Sequence, residues 1–300
     1  MNQSVTDDIA DFVMELCRQE VAEKTVRSYQ SDLTQVARWF GGSTGEPFRA
    51  AAVTPTDVRD YKAHLVSVER RRPATVNRRL AALRRFFLWA KAAGRCADVP
   101  TDSIKGVPQA PRSPKSLEKR EVDRLVRMAE RSGKKRDLAI VQTLRHIGIR
   151  VGELCALRLD DVDISERKGA LTVRRGKGAK FRIIPLNADV RQALGVYLAV
   201  RPRVSGDHLF VGQRGRGLSA AAVWYLVTKY ARQAGLEDVS PHTLRHSFGK
   251  QLLDATKDLV AVAALLGHEK LETTAIYTQP SERDLARAVA LLEREEVMDR

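Results

Sequence analysis

Cysteine is scarce in this chain and never placed to build a covalent framework. Cys17, Cys96 and Cys155 are odd in number, scattered and free of any CxxC spacing, which argues against a disulfide scaffold and a zinc site. Long hydrophobic runs are missing as well: none approaches the roughly 18 to 20 apolar residues that span a bilayer. The opening residues, MNQSVTDDIADF, lack the basic-then-apolar layout of a secretion signal, so a cytoplasmic protein is expected. No internal repeat, low-complexity tract, aspartate-rich motif or Walker-type phosphate loop is found. Acidic residues are also in deficit, with 37 Asp and Glu against 52 Lys and Arg and a formal net charge of +15. That balance favours a polyanionic partner, nucleic acid first.

What is present fits two domains: 300 residues, 43% of them hydrophobic, exceed one small core. Helical periodicity dominates the first hundred residues. Ile9, Phe12, Val13 and Leu16 share one face, as do Val26, Tyr29, Leu33, Val36 and Phe40. A capped start at Thr54-Pro-Thr-Asp opens a third helix with Val58, Tyr61 and Leu65, and a fourth begins near Pro73 and carries Val76, Leu80, Leu83 and Phe87. Four helices with short connections predict a small bundle. Between Arg59 and Arg95 lie eleven Lys and Arg opposed only by Asp60 and Glu69. Arg71, Arg72, Arg78, Arg79, Arg84 and Arg85 are the predicted DNA-binding residues of this stretch, because a guanidinium stays charged and grips phosphate oxygens in pairs.

From Arg95 to Ser116 the pattern changes, since Pro100, Gly106, Pro108, Pro111 and Pro114 cannot continue a helix. We place a helical, nucleic-acid-binding domain at 1–105, a basic proline-rich linker at 106–116 and a second domain at 117–300. The second domain reads as mostly helical with one β signal, Ala170–Arg175 and Lys180–Leu186 flanking a Gly-Lys-Gly-Ala tip, and a further short strand at Leu209-Phe-Val. Helices are expected at 219–233, 242–255, 259–266 and 282–295. The fold class is therefore mainly α, with a small β-sheet in the C-terminal domain.

Five segments hold polar residues that local structure does not require: Gly148-Ile-Arg150-Val-Gly-Glu153, Gly176-Lys177-Gly178, His242-Thr-Leu-Arg245-His246, Leu266-Gly267-His268 and Ala275-Ile-Tyr277. Singly each is weak, because an arginine after glycine is usually a capping residue and a lone histidine is usually structural. Their order and spacing are specific. Together they resemble the tyrosine recombinases, or phage integrases, and in particular the Xer-type bacterial members. That family carries an arginine in a G-[LI]-R-x-x-E-L segment, a hairpin lysine, H-x-L-R-H, a His or Trp after glycine, and a tyrosine some nine residues later.

The resemblance implies a two-domain DNA clamp, a helical core-binding domain followed by a catalytic domain. It also implies a site-specific recombinase that cuts and rejoins duplex DNA through a 3′-phosphotyrosyl intermediate and a Holliday junction. Tyr277 would be the nucleophile, with Arg150, Lys177, His242, Arg245 and His268 completing the site and Glu153 and His246 in support. The chemistry needs these residue types. Charge builds on the non-bridging phosphate oxygens in the transition state, and Arg150 and Arg245 can hold it, with a hydrogen bond from His268. A phenol of ordinary pKa about 10 needs help to ionise, and His242 is a reasonable base. The leaving 5′-oxygen needs a proton. Alignment inside Gly-Lys-Gly favours Lys177 for that role, with Lys180 as the alternative. Arginines, lysine and histidines do the work that Mg²⁺ does elsewhere, so no metal and no other cofactor is expected.

Double-stranded DNA is the expected partner, with a homotetramer on paired sites, a second recombinase as an option, no membrane, and a cytoplasmic, nucleoid-associated location. Leu285, Val289 and Leu292 form an apolar stripe after the tyrosine, which either packs within the chain or docks on a neighbouring protomer. A type IB topoisomerase, a non-catalytic DNA-binding protein and a basic membrane-surface protein fit the same features less well.

Overall fold

The computed structural model of the chain describes residues 7–109, 115–174, 181–267, 274 and 277. The chain divides into two compact units, Met1–Pro111 and Arg112–Arg300.

The first unit is the helical bundle that the periodicity predicts. It contains α1 (Asp7–Arg18), α2 (Glu23–Thr44), α3 (Pro55–Ala63) and α4 (Pro73–Ala92). Thr54 caps α3 through the backbone N–H of Asp57, whose carboxylate returns to Thr54 N, and Pro55 fills the first helical position. Pro73 does the same for α4. The core is aromatic: Phe86 meets Phe12 at 5.6 Å edge-to-face and Phe48 at 5.7 Å. Each such ring stabilises by about 1.5–3 kcal/mol through burial, so the aromatic cluster anchors the bundle. A π-helical turn at His64–Val68 continues α3 and buries Leu65. The periodicity did not reveal it.

The linker region divides. Val99, Ile104 and Val107 pack against the first core, and the Asn77 amide donates to Val107 O at 2.9 Å and accepts from Val107 N at 2.7 Å. The chain as far as Val107 is thus fastened to the bundle, because half-buried valines and an amide that mimics a strand partner outweigh the helix-breaking prolines. Pro111, Arg112 and Pro114 lie outside the described residues.

In the second unit α5 (Lys119–Arg131) and α6 (Lys135–Ile147) pair, and α6 is buried on nearly every side from Ala139 to Leu144. A short α7 (Val151–Ala156) follows the Gly148 turn. Among the described residues the sheet has three antiparallel strands in the order β1 (Val162–Ile164), β2 (Gly169–Arg174) and β3 (Phe181–Pro185). The pairing Thr172↔Ile183 sets the β2–β3 register, turning Leu171, Val173 and Ile184 to the core. Strand β1 went unseen because three residues are too few to display alternation. The strand expected at Leu209 reduces to isolated bridges, Arg158↔His208 and Val211↔Gly217. There the Arg201 Nε bonds the His208 and Leu209 carbonyls, so those oxygens face a side chain.

Four helices complete the described residues: α8 (Ala188–Val200), α9 (Ala220–Gln233), α10 (Pro241–Thr256) and α11 (Leu259–Leu266). Each N-terminus has a side-chain cap, Asn187, Ser219, Ser240 and Asp258 in turn. The expected helix at 282–295 lies outside the described residues.

Candidate active site

The site forms where the turn before α7, helix α10 and the end of α11 meet in the second unit. Gly148 ends α6 with φ +61°, and a Cβ there would stand 2.3 Å from Phe248 Cδ1, so only glycine allows this turn. The turn delivers Arg150 to the start of α7, where Glu153 accepts from Arg150 N at 2.9 Å and from its Nη1 at 3.1 Å. Arg150 Nη2 reaches Gly267 O at 3.4 Å.

Arg245 rises from the first turns of α10 and is 5% exposed. Its Nη1 donates to Gly148 O at 2.6 Å and its Nη2 to Leu266 O at 2.9 Å. Burial, and then the neighbouring charge of Arg150, push its guanidinium down to about 10. It stays cationic at neutral pH, a charge held ready where water is scarce.

Tyr277 is half-buried, its backbone N–H bonded to the buried Thr274 carbonyl at 3.0 Å. Burial raises the phenol above its ordinary value, while Arg245 and then Arg150 pull it back. The two arginines brought together by three different elements therefore act on the same phenol. The His246 ring lies 5.5 Å from the tyrosine ring at 54°. Burial, then the charges of His242 and Arg245, lower the His246 pKa and favour its neutral form. His242 is exposed on the first turn of α10. Lys177, Lys180 and His268 lie outside the described residues.

Glu153 carries a second arginine, which the motifs do not include. Arg182 on β3 donates from Nη1 and Nη2 to the two Glu153 oxygens at 3.1 and 2.8 Å. Burial alone would raise the Glu153 carboxyl, but the bonds from Arg182 and Arg150 and their charges outweigh it and hold it at about 2. The signal was there: Arg182 stands on the same face of β3 as the buried Ile184, between Phe181 and Ile183, which are exposed. An arginine on the inward face of a strand calls for a buried acid.

The arginines of α4 and the turn before it separate into two kinds. Arg71, Arg72, Arg78, Arg84 and Arg85 are exposed. Some are paired, Arg71 Nε with Glu69 at 2.6 Å, Arg78 with Asp32, and Arg84 Nε with Asp102 at 3.4 Å. Arg79 corrects the expectation. It is 4% exposed, bonded to Gln35, to Tyr61 Oη at 3.3 Å and to Glu69 at 3.4 Å, and it serves the core of the first unit. One helical residue from Arg78 turns the side chain by about 100°, enough to carry it from the surface to the interior.

Among the described residues no group of three or more His, Cys, Asp or Glu is placed to hold a metal ion. No helix there is long and apolar enough to cross a membrane.

Residues 115–283 match the model of the phage integrase family, and residues 9–94 match the phage integrase N-terminal SAM-like domain. The tyrosine recombinase XerD of Ralstonia nicotianae is 36% identical over 269 residues, 86% of this chain and 84% of its own. The tyrosine recombinase XerC of Roseiflexus castenholzii is 35% identical over 91% of this chain and 89% of its own. Among solved structures, XerA recombinase superposes with a TM-score of 0.54 at 28% identity, covering 95% of this chain and 97% of that one. XerH bound to palindromic difH substrate gives 0.76 at 23% identity, over 94% of this chain and 84% of that one, and shows a common fold.

Proposed function

The chain belongs to the phage integrase family and is a tyrosine site-specific recombinase that breaks and rejoins DNA; we propose that Tyr277 is its nucleophile and that Arg150 and Arg245 hold the scissile phosphate. The observation that carries this reading is the convergence of Arg150 and Arg245 on the end of α11, at Gly267 O and Leu266 O, with the Tyr277 ring seated against α10 at Gly249, one turn beyond Arg245. Two permanent cations in a largely buried site favour the phenolate and match the charge that grows on the phosphate oxygens as the P–O bond forms.

In this reading the tyrosine oxygen attacks phosphorus, the P–O bond to the 5′-oxygen breaks, and the chain keeps a 3′-phosphotyrosyl link. His242 on the exposed turn of α10 is the base for the phenol proton, His268 adds a hydrogen bond to phosphate, and Lys177 protonates the leaving oxygen, with Lys180 as its rival. Glu153 orients Arg150, and His246 supports the tyrosine ring. Because the link conserves the phosphodiester bond energy, attack by a second 5′-hydroxyl rejoins the strand without ATP.

The partner is double-stranded DNA. It is supported by the net charge of +15 and by exposed Arg71, Arg72, Arg78, Arg84 and Arg85. Residues 1–105 would act as the core-binding domain, 106–116 as a basic linker and 117–300 as the catalytic domain. A homotetramer on paired sites, joined through the apolar stripe of Leu285, Val289 and Leu292, is the assembly we favour, with a dimer-resolution or mobile-element task.

The test incubates the full chain with sheared genomic DNA of its host, denatures the mixture and recovers DNA still attached to protein. Wild type should retain specific fragments, and Tyr277→Phe should retain none while binding the recovered duplex as before. Adducts formed by Tyr277→Phe would overturn the assignment.

A further inference from the structure

A helix leaves its last carbonyls without partners inside the helix, and its C-terminal end carries partial negative charge. At the end of α11 three successive carbonyls each take a different arginine. Leu265 O accepts from Arg182 Nε at 3.1 Å, Leu266 O from Arg245 Nη2 at 2.9 Å and Gly267 O from Arg150 Nη2 at 3.4 Å. Two of these arginines belong to the proposed phosphate site. The third has no part in the chemistry described so far.

Arg182 is held more tightly than a surface ion pair requires. Its side chain is 13% exposed, equal to that of Glu153, and its fork meets both carboxylate oxygens. The Gly267 backbone lies directly against it: with φ +65°, a Cβ on Gly267 would stand 2.7 Å from Arg182 Nη1. One guanidinium therefore touches helix α7 through Glu153 and the turn that closes α11, from its own strand β3.

The electrostatics gives this arrangement a consequence. Glu153 also accepts from Arg150 Nη1 and from Arg150 N. With Arg182 in place, the carboxylate is shared between two guanidinium groups. Without it, the full negative charge would fall on Arg150, draw that side chain inward and cancel the positive potential a phosphate would meet. Glu153 can then be an orienting group for Arg150 only because another cation neutralises it.

We propose that Arg182 is a positioning residue for DNA cleavage: by occupying Glu153 and the Leu265 carbonyl it keeps Arg150 directed at the scissile phosphate. The proposal rests on the assignment of Arg150 and Tyr277 above. It makes no claim that Arg182 touches DNA.

The test uses the full chain and the duplex recovered from wild-type adducts. Adducts that form with wild type and vanish with Tyr277→Phe establish the site first, so a failure there strikes the site assignment and leaves the Arg182 question separate. Arg182→Met should slow adduct formation by about 10- to 100-fold, the range typical when a group that orients functional ligands is lost. Its equilibrium affinity for the duplex should stay within about threefold of wild type. Adding Glu153→Gln to Arg182→Met removes the uncompensated charge and should recover about tenfold of the rate, a coupling that simple loss of packing does not produce. A wild-type rate in Arg182→Met, or a double variant no faster than the single one, overturns the proposal. If Arg182→Met does not fold, Arg182→Lys and Arg182→Gln decide. Lysine keeps a charge on Glu153 and glutamine keeps only hydrogen bonding, so lysine should cleave about tenfold faster, and equal rates overturn the proposal.

Discussion

The Tyr277 ring lies where the side chain of residue 249 would begin: a Cβ on Gly249 would stand 2.7 Å from Tyr277 Cζ and 2.8 Å from Cε1. Gly249 is inside α10, where glycine costs about 1 kcal/mol relative to alanine. The helix that presents Arg245 and His246 thus gives up local stability at the one place where its backbone meets the tyrosine. Close approach of the ring to the helix is built from an absence, and the ring is held between that bare backbone and His246.

Gly249→Ala should therefore displace the ring without harming the helix. The helix gains about 1 kcal/mol of intrinsic propensity, while the phenol oxygen shifts by roughly the ångström that costs a reacting pair about 100-fold. The expected outcome is a melting temperature equal to or above wild type, unchanged duplex affinity, and adduct formation slowed by one to two orders of magnitude. Single-turnover adduct formation alongside thermal melting checks it. A variant that cleaves at the wild-type rate would show that the ring leaves this seat before it reacts.

Arg245 bonds two backbone carbonyls on different elements, Gly148 O and Leu266 O. Lysine at this position keeps a charge but cannot reach both oxygens and also present a planar fork to phosphate. Arg245→Lys should lower the cleavage rate by about 10²- to 10³-fold, comparable to losing one donor of an oxyanion site. Duplex affinity should change far less, since most of the bonds that hold DNA lie elsewhere. Measuring rate and affinity on the same duplex separates the two.

The residues that carry order in the chain were legible in the sequence, and those defined by pairing across the fold were not. Arg150, Arg245 and Tyr277 stood in recognisable segments, and the structure brings them to one place. The bundle helices were legible because Ile9, Phe12 and Leu16, or Val76, Leu80, Leu83 and Phe87, repeat at helical spacing. Arg182 was legible only in part: its place in the β3 alternation marks it as facing inward, but its partner Glu153 lies 29 residues away and no local pattern names it. Gly249 was hidden for a related reason: a glycine inside a helix reads as a weakness until the ring that needs the space is seen. Arg79 was misplaced because a run of arginines shows charge without showing which side of the helix each one faces.

Glu153 ties stability to pH. Its carboxyl is held at about 2, below the ordinary value of 4.5. A depressed carboxylate contributes stability that is fully present above its unfolded pKa and is lost as pH falls through its folded one. The window here runs from about 4.5 down to about 2, and the contribution is on the order of 3 kcal/mol at neutral pH. Glu153→Gln removes the titrating group, so the stability gap between wild type and variant should be widest above pH 5 and narrow steadily below it. Denaturant unfolding of both proteins across pH 3 to 7 checks this. A gap that stays constant would mean that the carboxylate charge contributes nothing beyond its shape.

The arginines in and before α4 should separate by experiment as they do by burial. Arg72 and Arg85 are exposed, so each replacement by alanine should weaken duplex binding for all sequences alike. The salt slope should fall by about 0.9 for every phosphate left without its cation. Arg79 is 4% exposed and bonded to Gln35, Tyr61 and Glu69. Arg79→Met strands those polar groups and should destabilise the first unit by on the order of 2–3 kcal/mol. At a temperature where the variant remains folded, its salt slope should equal that of wild type. The two outcomes are opposite in kind: a surface arginine changes the slope and leaves melting alone, and a buried one changes melting and leaves the slope alone. An Arg79 variant that melts normally yet loses salt dependence would return that residue to the DNA interface and show that the guanidinium leaves its buried site when the duplex arrives.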